Sequence, residues 1–187
     1  DNVAPDSRQV FSFSQRLRAQ NYFFQQVFDW NDRLLVDGLV RRDGSSLFGS
    51  DARWRNFYRV TGSYRLSQDV KIPGIEEFRL RASRGTAGLR PPFEAQYETF
   101  TIAGGLPQPF VLGNRNLRPA YATETEAGCN LDIKRRVTLE YTYSDKVTRD
   151  QVLRVPLSSS AGFQFQWQNA GALAGNTHEV ALGAVLA

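Results

Sequence analysis

The chain has 187 residues, of which 41% are hydrophobic, 12% aromatic and 22% charged, and its 23 basic and 19 acidic side chains leave a formal charge of +4. This composition excludes intrinsic disorder, and a surplus so small and scattered lacks the concentrated basic stripe of a nucleic-acid binder. The single cysteine, Cys129, excludes an internal disulfide, and the longest uncharged run, residues 155–177, carries Ser158, Ser159, Ser160 and several glutamines and so is no transmembrane helix.

Apolar residues recur with period two along most of the chain, which is the pattern of strands. A first candidate strand covers residues 8–18. In the second, Tyr22, Phe24, Phe28 and Trp30 share a face, and in the third Leu34, Val36 and Val40 do, with Asp37 and Arg41 opposite. Residues 54–66 set Tyr58, Val60, Tyr64 and Leu66 against Arg59, Thr61, Ser63 and Arg65. Next, Phe78, Leu80 and Ala82 oppose Arg79, Arg81 and Ser83. Ala127, Cys129, Leu131 and Ile133 then oppose Glu126, Asn130 and Asp132, and Val137, Leu139, Tyr141 and Tyr143 oppose Thr138, Glu140 and Thr142. In FQFQWQ, residues 163–168, Phe163, Phe165 and Trp167 alternate with three glutamines, and residues 177–187 are apolar on both faces. The fold class is all-β, an antiparallel meander of about nine strands, each about as long as a tilted bilayer crossing.

The connections near Asn31 and Asp32, at 67–75, 134–136 and 169–176 read as short, and those at 43–53, 85–121 and 149–161 as longer. Short turns at one end and long loops at the other characterise a transmembrane barrel, with the long end, including an 85–121 loop, extracellular. A soluble β-sandwich or small barrel binding carbohydrate or lipid alternates in the same way, as does a self-associating structural β-protein. Lysine occurs only at Lys71, Lys134 and Lys146, near turns and strand ends, whereas soluble sheets scatter it over their outer faces. That scarcity favours a wall with lipid on its aromatic side and a wet lumen on the other.

Three segments, RLLVDGLVRRDGSSLFG (33–49), FRLRASRGTAG (78–88) and GNRNLRPAYATETEAGCNLDI (113–133), occur in an order that resembles the C-terminal barrel half of TonB-dependent outer-membrane receptors, closest to the SusC-like branch. YTYSDKVTRDQVLRVPL (141–157) and QNAGALAGNTHEVALGA (168–184) resemble that family's following strand, loop and hairpin. The resemblance implies part of a plugged barrel of about 22 strands, so residues 1–187 are expected to be one segment of a larger barrel domain, without the plug and the earlier strands. It also implies a location in the cell outer membrane and the import of a nutrient such as an oligosaccharide, peptide or metal chelate. The implied partners are the TonB complex, the plug domain, a SusD-like surface lipoprotein, a small solute and outer-membrane lipid, with no nucleic acid.

Two groups of residues are candidates for solute binding. Arg59, Arg65, Arg79 and Arg81 lie on the inferred lumenal face of neighbouring strands, as a solvated wall, as partners of acidic plug residues, or as an attraction for an anionic solute. In PPFEAQYETF, Pro91 and Pro92 can start a short helix that brings Phe93, Tyr97 and Phe100 to one face. Such a face packs on the loop's own scaffold, stacks on a sugar ring, or covers the pore mouth. DGSS at 43–46 reads as a turn with Gly44 at positive φ, or as a calcium or ligand contact through Asp43. His178, read as a hairpin or rim residue, has no nucleophile pattern around it, and Cys129 reads as a small hydrophobe that is buried or faces lipid. No phosphate loop or dinucleotide motif occurs, so neither enzymatic activity, nor a cofactor, nor a metal site is expected.

Overall fold

The computed structural model describes residue 12 and residues 14–185. Two of its hairpins are set by consecutive residues at positive φ, Asn31 (49°) with Asp32 (60°) and Lys134 (53°) with Arg135 (55°). This geometry gives the tight turn whose twist matches antiparallel strands. Asn and Asp tolerate it, and Asp29 Oδ1 accepts the Asp32 N–H at 3.0 Å. Lys134 and Arg135 have no such preference, so the strands flanking them hold that turn in place.

These turns join β1 (Ala19–Trp30) to β2 (Leu34–Ser45) and β7 (Ala120–Ile133) to β8 (Val137–Arg149). With β3 (Trp54–Arg65), β4 (Ile75–Leu89) and β11 (Ala172–Ala184) they form a seven-stranded antiparallel sheet in the order β1-β2-β3-β4-β7-β8-β11. Four shorter strands form a second sheet, ordered β5-β6-β10-β9: β5 (Thr99–Ala103), β6 (Leu106–Leu112), β9 (Val152–Pro156) and β10 (Phe165–Asn169). The second sheet comes from the two longest connections, those between β4 and β7 and between β8 and β11. They meet where β10 pairs parallel with β6, Phe165 beside Val111 and Gln166 beside Leu112. The two longest connections of the large sheet and the 46–53 connection therefore leave from one end, and the β1–β2, β3–β4 and β7–β8 connections close the other.

Residues paired across antiparallel strands share a face, and in the large sheet the two faces differ in kind. One row on the first face runs Trp30, Leu34, Tyr64, Leu80, Cys129, Tyr141 and Val180 through all seven strands. Neighbouring rows on that face carry Phe28, Val36, Tyr143 and His178 on one side and Leu131, Leu139 and Leu182 on the other. This face is greasy yet open: Phe24 is 67% and Leu182 72% exposed. Asp37, Arg59, Arg79, Arg81, Glu126, Glu140 and Lys146 lie on the opposite face. A soluble sheet would cover the first face.

The core sits elsewhere, at the long-connection end. Leu47, Phe48, Phe57, Pro91, Ala95, Val111 and Leu117 are buried there, and the 46–53 connection is tied to the 113–119 stretch by the Gly49 N–H donating to the Leu117 carbonyl at 2.8 Å. Gly49 is required for this approach, because a Cβ would lie 2.9 Å from the Asn116 backbone. The long connections thus form a packed crown rather than free loops.

Several expectations are corrected. FQFQWQ is not a wall strand: Phe163 precedes β10, and Phe165 and Trp167 belong to it, half-buried in the crown sheet. The wall therefore has seven strands among the described residues, against the nine expected for a single meander. Residue 12 and residues 14–18 are not strand, and the rest of the first candidate strand lies outside the described residues. Residues 172–176, read as a short connection, are paired strand in β11. Gly44 is no turn residue: it lies in β2 opposite Trp54, and a Cβ there would come within 2.9 Å of the indole. Its role is to let Trp54 lie over the strand, and the turn begins at Ser46.

Candidate functional site

The charged face is built as a ladder of ion pairs. Arg59 pairs with Asp37 on the neighbouring β2. Arg65 and Arg79 stand directly opposite each other, a like-charge pairing that would cost stability on its own. Glu77 offsets it, lying 2.7 Å from Arg79 Nη2 and 3.7 Å from Arg65 Nε, and Asp32 lies 3.3 Å from Arg65 Nη1. Arg81 donates to Glu140 and, at 2.7 Å, to the Thr142 hydroxyl. Glu124 and Lys146 pair at 3.1 Å higher on the same face, and the Ser83 hydroxyl donates to Glu126 at 3.2 Å.

Sequence reasoning put the four arginines on one face, and they are on one face. It offered solvent, plug acids or solute as their partners, whereas their carboxylates come from the wall itself. The ladder lines a depression of about 800 Å³ that includes Ser63, Glu77, Arg79, Arg81, Asn130 and Glu140. Asn130 Oδ1 and Asp132 Oδ1 there have no hydrogen-bond partner among the described residues. A polar surface of fixed, internally neutralised charge can contact a polar solute or protein segment without a strong bias toward either sign of charge.

The aromatic candidates are arranged differently from the expected helical face. Residues Phe93–Gln96 form only a short 3-10 turn, and Tyr97 is already extended at φ −117°, ψ 151°. Phe93 packs on Tyr97 with ring centroids 5.4 Å apart. Phe100 lies on β5 and packs on Phe163, 6.1 Å away, from the other long connection. Phe110 meets Phe165 edge-on at 5.6 Å, and Arg154 covers Trp167 with its guanidinium carbon 5.6 Å from the ring. Sequence reasoning missed these cross-connection pairs, because β6 and β10 lie about fifty residues apart and no local pattern links them. Tyr97 and Phe100 remain 46% and 55% exposed, so the crown presents aromatic surface to solvent.

Asp43 is buried and engaged by Arg41 Nε at 3.0 Å, and no cluster of three metal-ligating side chains occurs among the described residues. His178 is not at a hairpin. It lies within β11 on the apolar face, where its Nδ1 is 2.9 Å from the Tyr141 hydroxyl and its ring is 4.9 Å from that of Tyr143. Cys129 faces the same way, between Leu80 and Tyr141. No helix among the described residues is long and apolar enough to cross a membrane, which says nothing of crossing by strands.

Known proteins share this arrangement. The family described as TonB dependent receptor-like, beta-barrel, matches residues 1–177. TonB-dependent receptors P26 and P39 of Formosa agariphila are 26% and 29% identical over 87% and 84% of this chain, which spans only 18% and 16% of their lengths. Among solved structures, the RagAB peptide transporter superposes with a TM-score of 0.76 over 91% of this chain and 20% of its own, at 22% identity. The siderophore receptor PirA from Pseudomonas aeruginosa does so with a TM-score of 0.64 over 88% of this chain and 30% of its own, at 16% identity. With one greasy and one ion-paired face, long connections gathered at one end and a family match along nearly the whole sequence, this chain belongs to the TonB-dependent receptor-like β-barrel family.

Proposed function

We propose that the chain is a wall-and-crown segment of a SusC-like TonB-dependent transporter in the outer membrane, which imports a nutrient of the size of a peptide, an oligosaccharide or a metal chelate. The observation that carries this reading is the row of apolar residues that crosses all seven strands on one face, set against the ion-paired arginines on the other. The 12 residues of β2 extend roughly 40 Å, and a tilt of about 40° leaves roughly 30 Å along the normal, the thickness of a hydrocarbon layer. The apolar face then meets lipid, the ion-pair ladder lines the lumen, and the crown with its 90–119 connection is extracellular. Peptide uptake has support from the similarity to RagAB, and chelate uptake from that to PirA.

Solute would meet the crown aromatics Phe93, Tyr97 and Phe100 first and the lumenal surface around Arg59, Arg65, Arg79 and Arg81 next. A plug domain on the intact polypeptide would block the lumen until the TonB complex drew it aside, and a SusD-like surface lipoprotein would cap the crown. The test uses cells that depend on the intact receptor, grown in turn on peptides, an oligosaccharide or chelated iron as the limiting nutrient. Deleting the receptor should abolish growth on one of the three, and re-expression should restore it only when TonB is present. Unchanged growth on all three, or restoration without TonB, would overturn the reading. Cysteines placed at Ser159 and Arg135 supply the topology: an impermeant maleimide should label the first but not the second on whole cells.

A further inference from the structure

A groove of about 770 Å³ opens at the crown end of β1, β2 and β3, lined by Leu17, Arg18, Gln20, Ser46, Arg53 and Trp54 with no carboxylate among its lining residues. Its walls are pinned. The Arg18 N–H donates to the Ser46 hydroxyl at 3.2 Å, and the Arg18 carbonyl accepts the Ser46 N–H at 2.9 Å. The Arg53 carbonyl accepts the Ser45 N–H at 3.3 Å. Two arginines are therefore anchored by their backbones to one turn, and a third, Arg42, lies over Trp54 with its guanidinium carbon 5.2 Å from the ring.

Among the described residues, none of Arg18, Arg42 and Arg53 has a carboxylate within 4.0 Å. That sets them apart from Arg59, Arg65, Arg79 and Arg81, which are all ion-paired on the opposite face. The groove also continues into the apolar belt. Tyr22 stacks on Trp54 with ring centroids 5.8 Å apart, and beyond Tyr22 on the same face come the exposed Phe24 and Val40. Cationic groups with no carboxylate partner among the described residues, a tryptophan at the boundary and an adjoining greasy surface fit a molecule with an anionic head and hydrocarbon tails.

We infer that this groove binds the phosphorylated headgroup of a lipid in the outer leaflet, with Arg18 and Arg53 as the principal phosphate ligands, Arg42 held beside them by Trp54, and the acyl chains lying along Phe24 and Val40. The inference rests on the proposed membrane orientation. Guanidinium suits the role because it stays charged and offers a planar fork of donors to phosphate oxygens.

The experiment uses the intact receptor purified in detergent, with native mass spectrometry counting bound lipid after addition of a bisphosphorylated glycolipid, its dephosphorylated form, or inorganic phosphate. Wild type should retain the phosphorylated lipid, and Arg18→Gln with Arg53→Gln should lower retention by roughly tenfold or more. The dephosphorylated lipid should bind wild type no better than the phosphorylated lipid binds the double variant, and excess inorganic phosphate should not displace the lipid. Equal retention by wild type and variant, or displacement by inorganic phosphate, overturns the inference. If the double variant fails to fold, Ser46→Asp, which adds a carboxylate and keeps both arginines, should produce the same loss, and its failure to do so is equally decisive. A receptor that stays monomeric in water without detergent would overturn the membrane reading itself. A detergent-dependent receptor whose variants bind as well as wild type overturns the groove alone.

Discussion

Arg81 on β4 reaches Glu140 on β8 across the whole width of β7, and it does so by passing over Gly128. Gly128 is the β7 residue directly opposite Arg81, and a Cβ on it would stand 3.0 Å from Arg81 Nε and 2.5 Å from the Tyr141 carbonyl oxygen. The glycine is therefore part of the ion-pair ladder even though it carries no charge. Gly128→Ala should force the backbone or the guanidinium aside and cost about 1–3 kcal/mol of wall stability. The readout is a lower temperature for loss of the heat-modifiable electrophoretic band of the intact receptor. An unchanged transition would mean that the guanidinium route over β7 is not fixed.

Both members of the pair are partly solvated, with side chains 35% and 46% exposed, so its strength should be modest. A double-mutant cycle of Arg81→Gln and Glu140→Gln should return a coupling of about 0.2–1 kcal/mol that shrinks as salt is added. A coupling near zero at low salt would leave Arg81 free for solute, contrary to the ladder as described.

Two neighbours on β11 separate the faces most sharply. Leu182 pairs with Leu139 on the apolar face and Ala181 with Glu140 on the charged one. Leu182→Arg, two residues before the end of β11 and close to the β7–β8 turn, should cost about 1–2 kcal/mol, between the interface and midplane values. Ala181→Arg, beside the Glu140 carboxylate on the face proposed to line the lumen, should cost less. Assembly into the outer-membrane fraction, measured as folded band intensity, should fall for the first and persist for the second. Equal losses would contradict a lipid face.

The crown should be a separable layer of stability. Leu117 is 1% exposed, and its carbonyl takes the Gly49 N–H that ties two connections together. Leu117→Ala should remove about 2–5 kcal/mol of packing from a region that the wall hydrogen bonds do not depend on. Trypsin applied to whole cells should then cut at Arg115 or Arg118, while the heat-modifiable band shifts little. Unchanged protease resistance would show that the wall rather than the crown core holds these connections.

How much of this was readable beforehand depends on whether the information is local. The arginine face was legible because period two sets Arg59 with Arg65, and Arg79 with Arg81, opposite the apolar residues of their own strands. Their acids were not, since Glu140 becomes the partner of Arg81 only through the β4–β7–β8 order and a glycine that clears the way. Gly44 was misread because an Asp-Gly pair ordinarily marks a turn, whereas here the missing side chain makes room for Trp54 from the next strand. FQFQWQ shows the same limit: alternation identifies a strand but not the sheet that receives it, and Phe165 joins the crown through a parallel pairing with Val111 on a distant connection. The proline pair suggested helical spacing, but the turn stops at Gln96 because Tyr97 is extended. Phe93 and Phe100 therefore pack on different partners.

That division of the aromatics yields the last prediction. Phe93 and Tyr97 pack on each other within one connection, whereas Phe100 packs on Phe163 across two. If Phe100 and Tyr97 contact solute, Tyr97→Ala should weaken uptake of the nutrient identified by growth without opening the crown. Phe163→Ala should loosen the crown by cavity formation whether or not solute is present. Phe100→Ala should do both, because its ring is 55% exposed and also holds Phe163. Stacking surfaces of this kind contribute about 0.5–1.5 kcal/mol beyond area burial, so apparent affinity for uptake in the Tyr97 variant should fall roughly two- to tenfold. Concentration-dependent uptake and whole-cell trypsin sensitivity, measured on the three variants together, distinguish the roles. Uptake unchanged in Tyr97→Ala, with both Phe variants altered only in protease sensitivity, would reduce the aromatic cluster to scaffold.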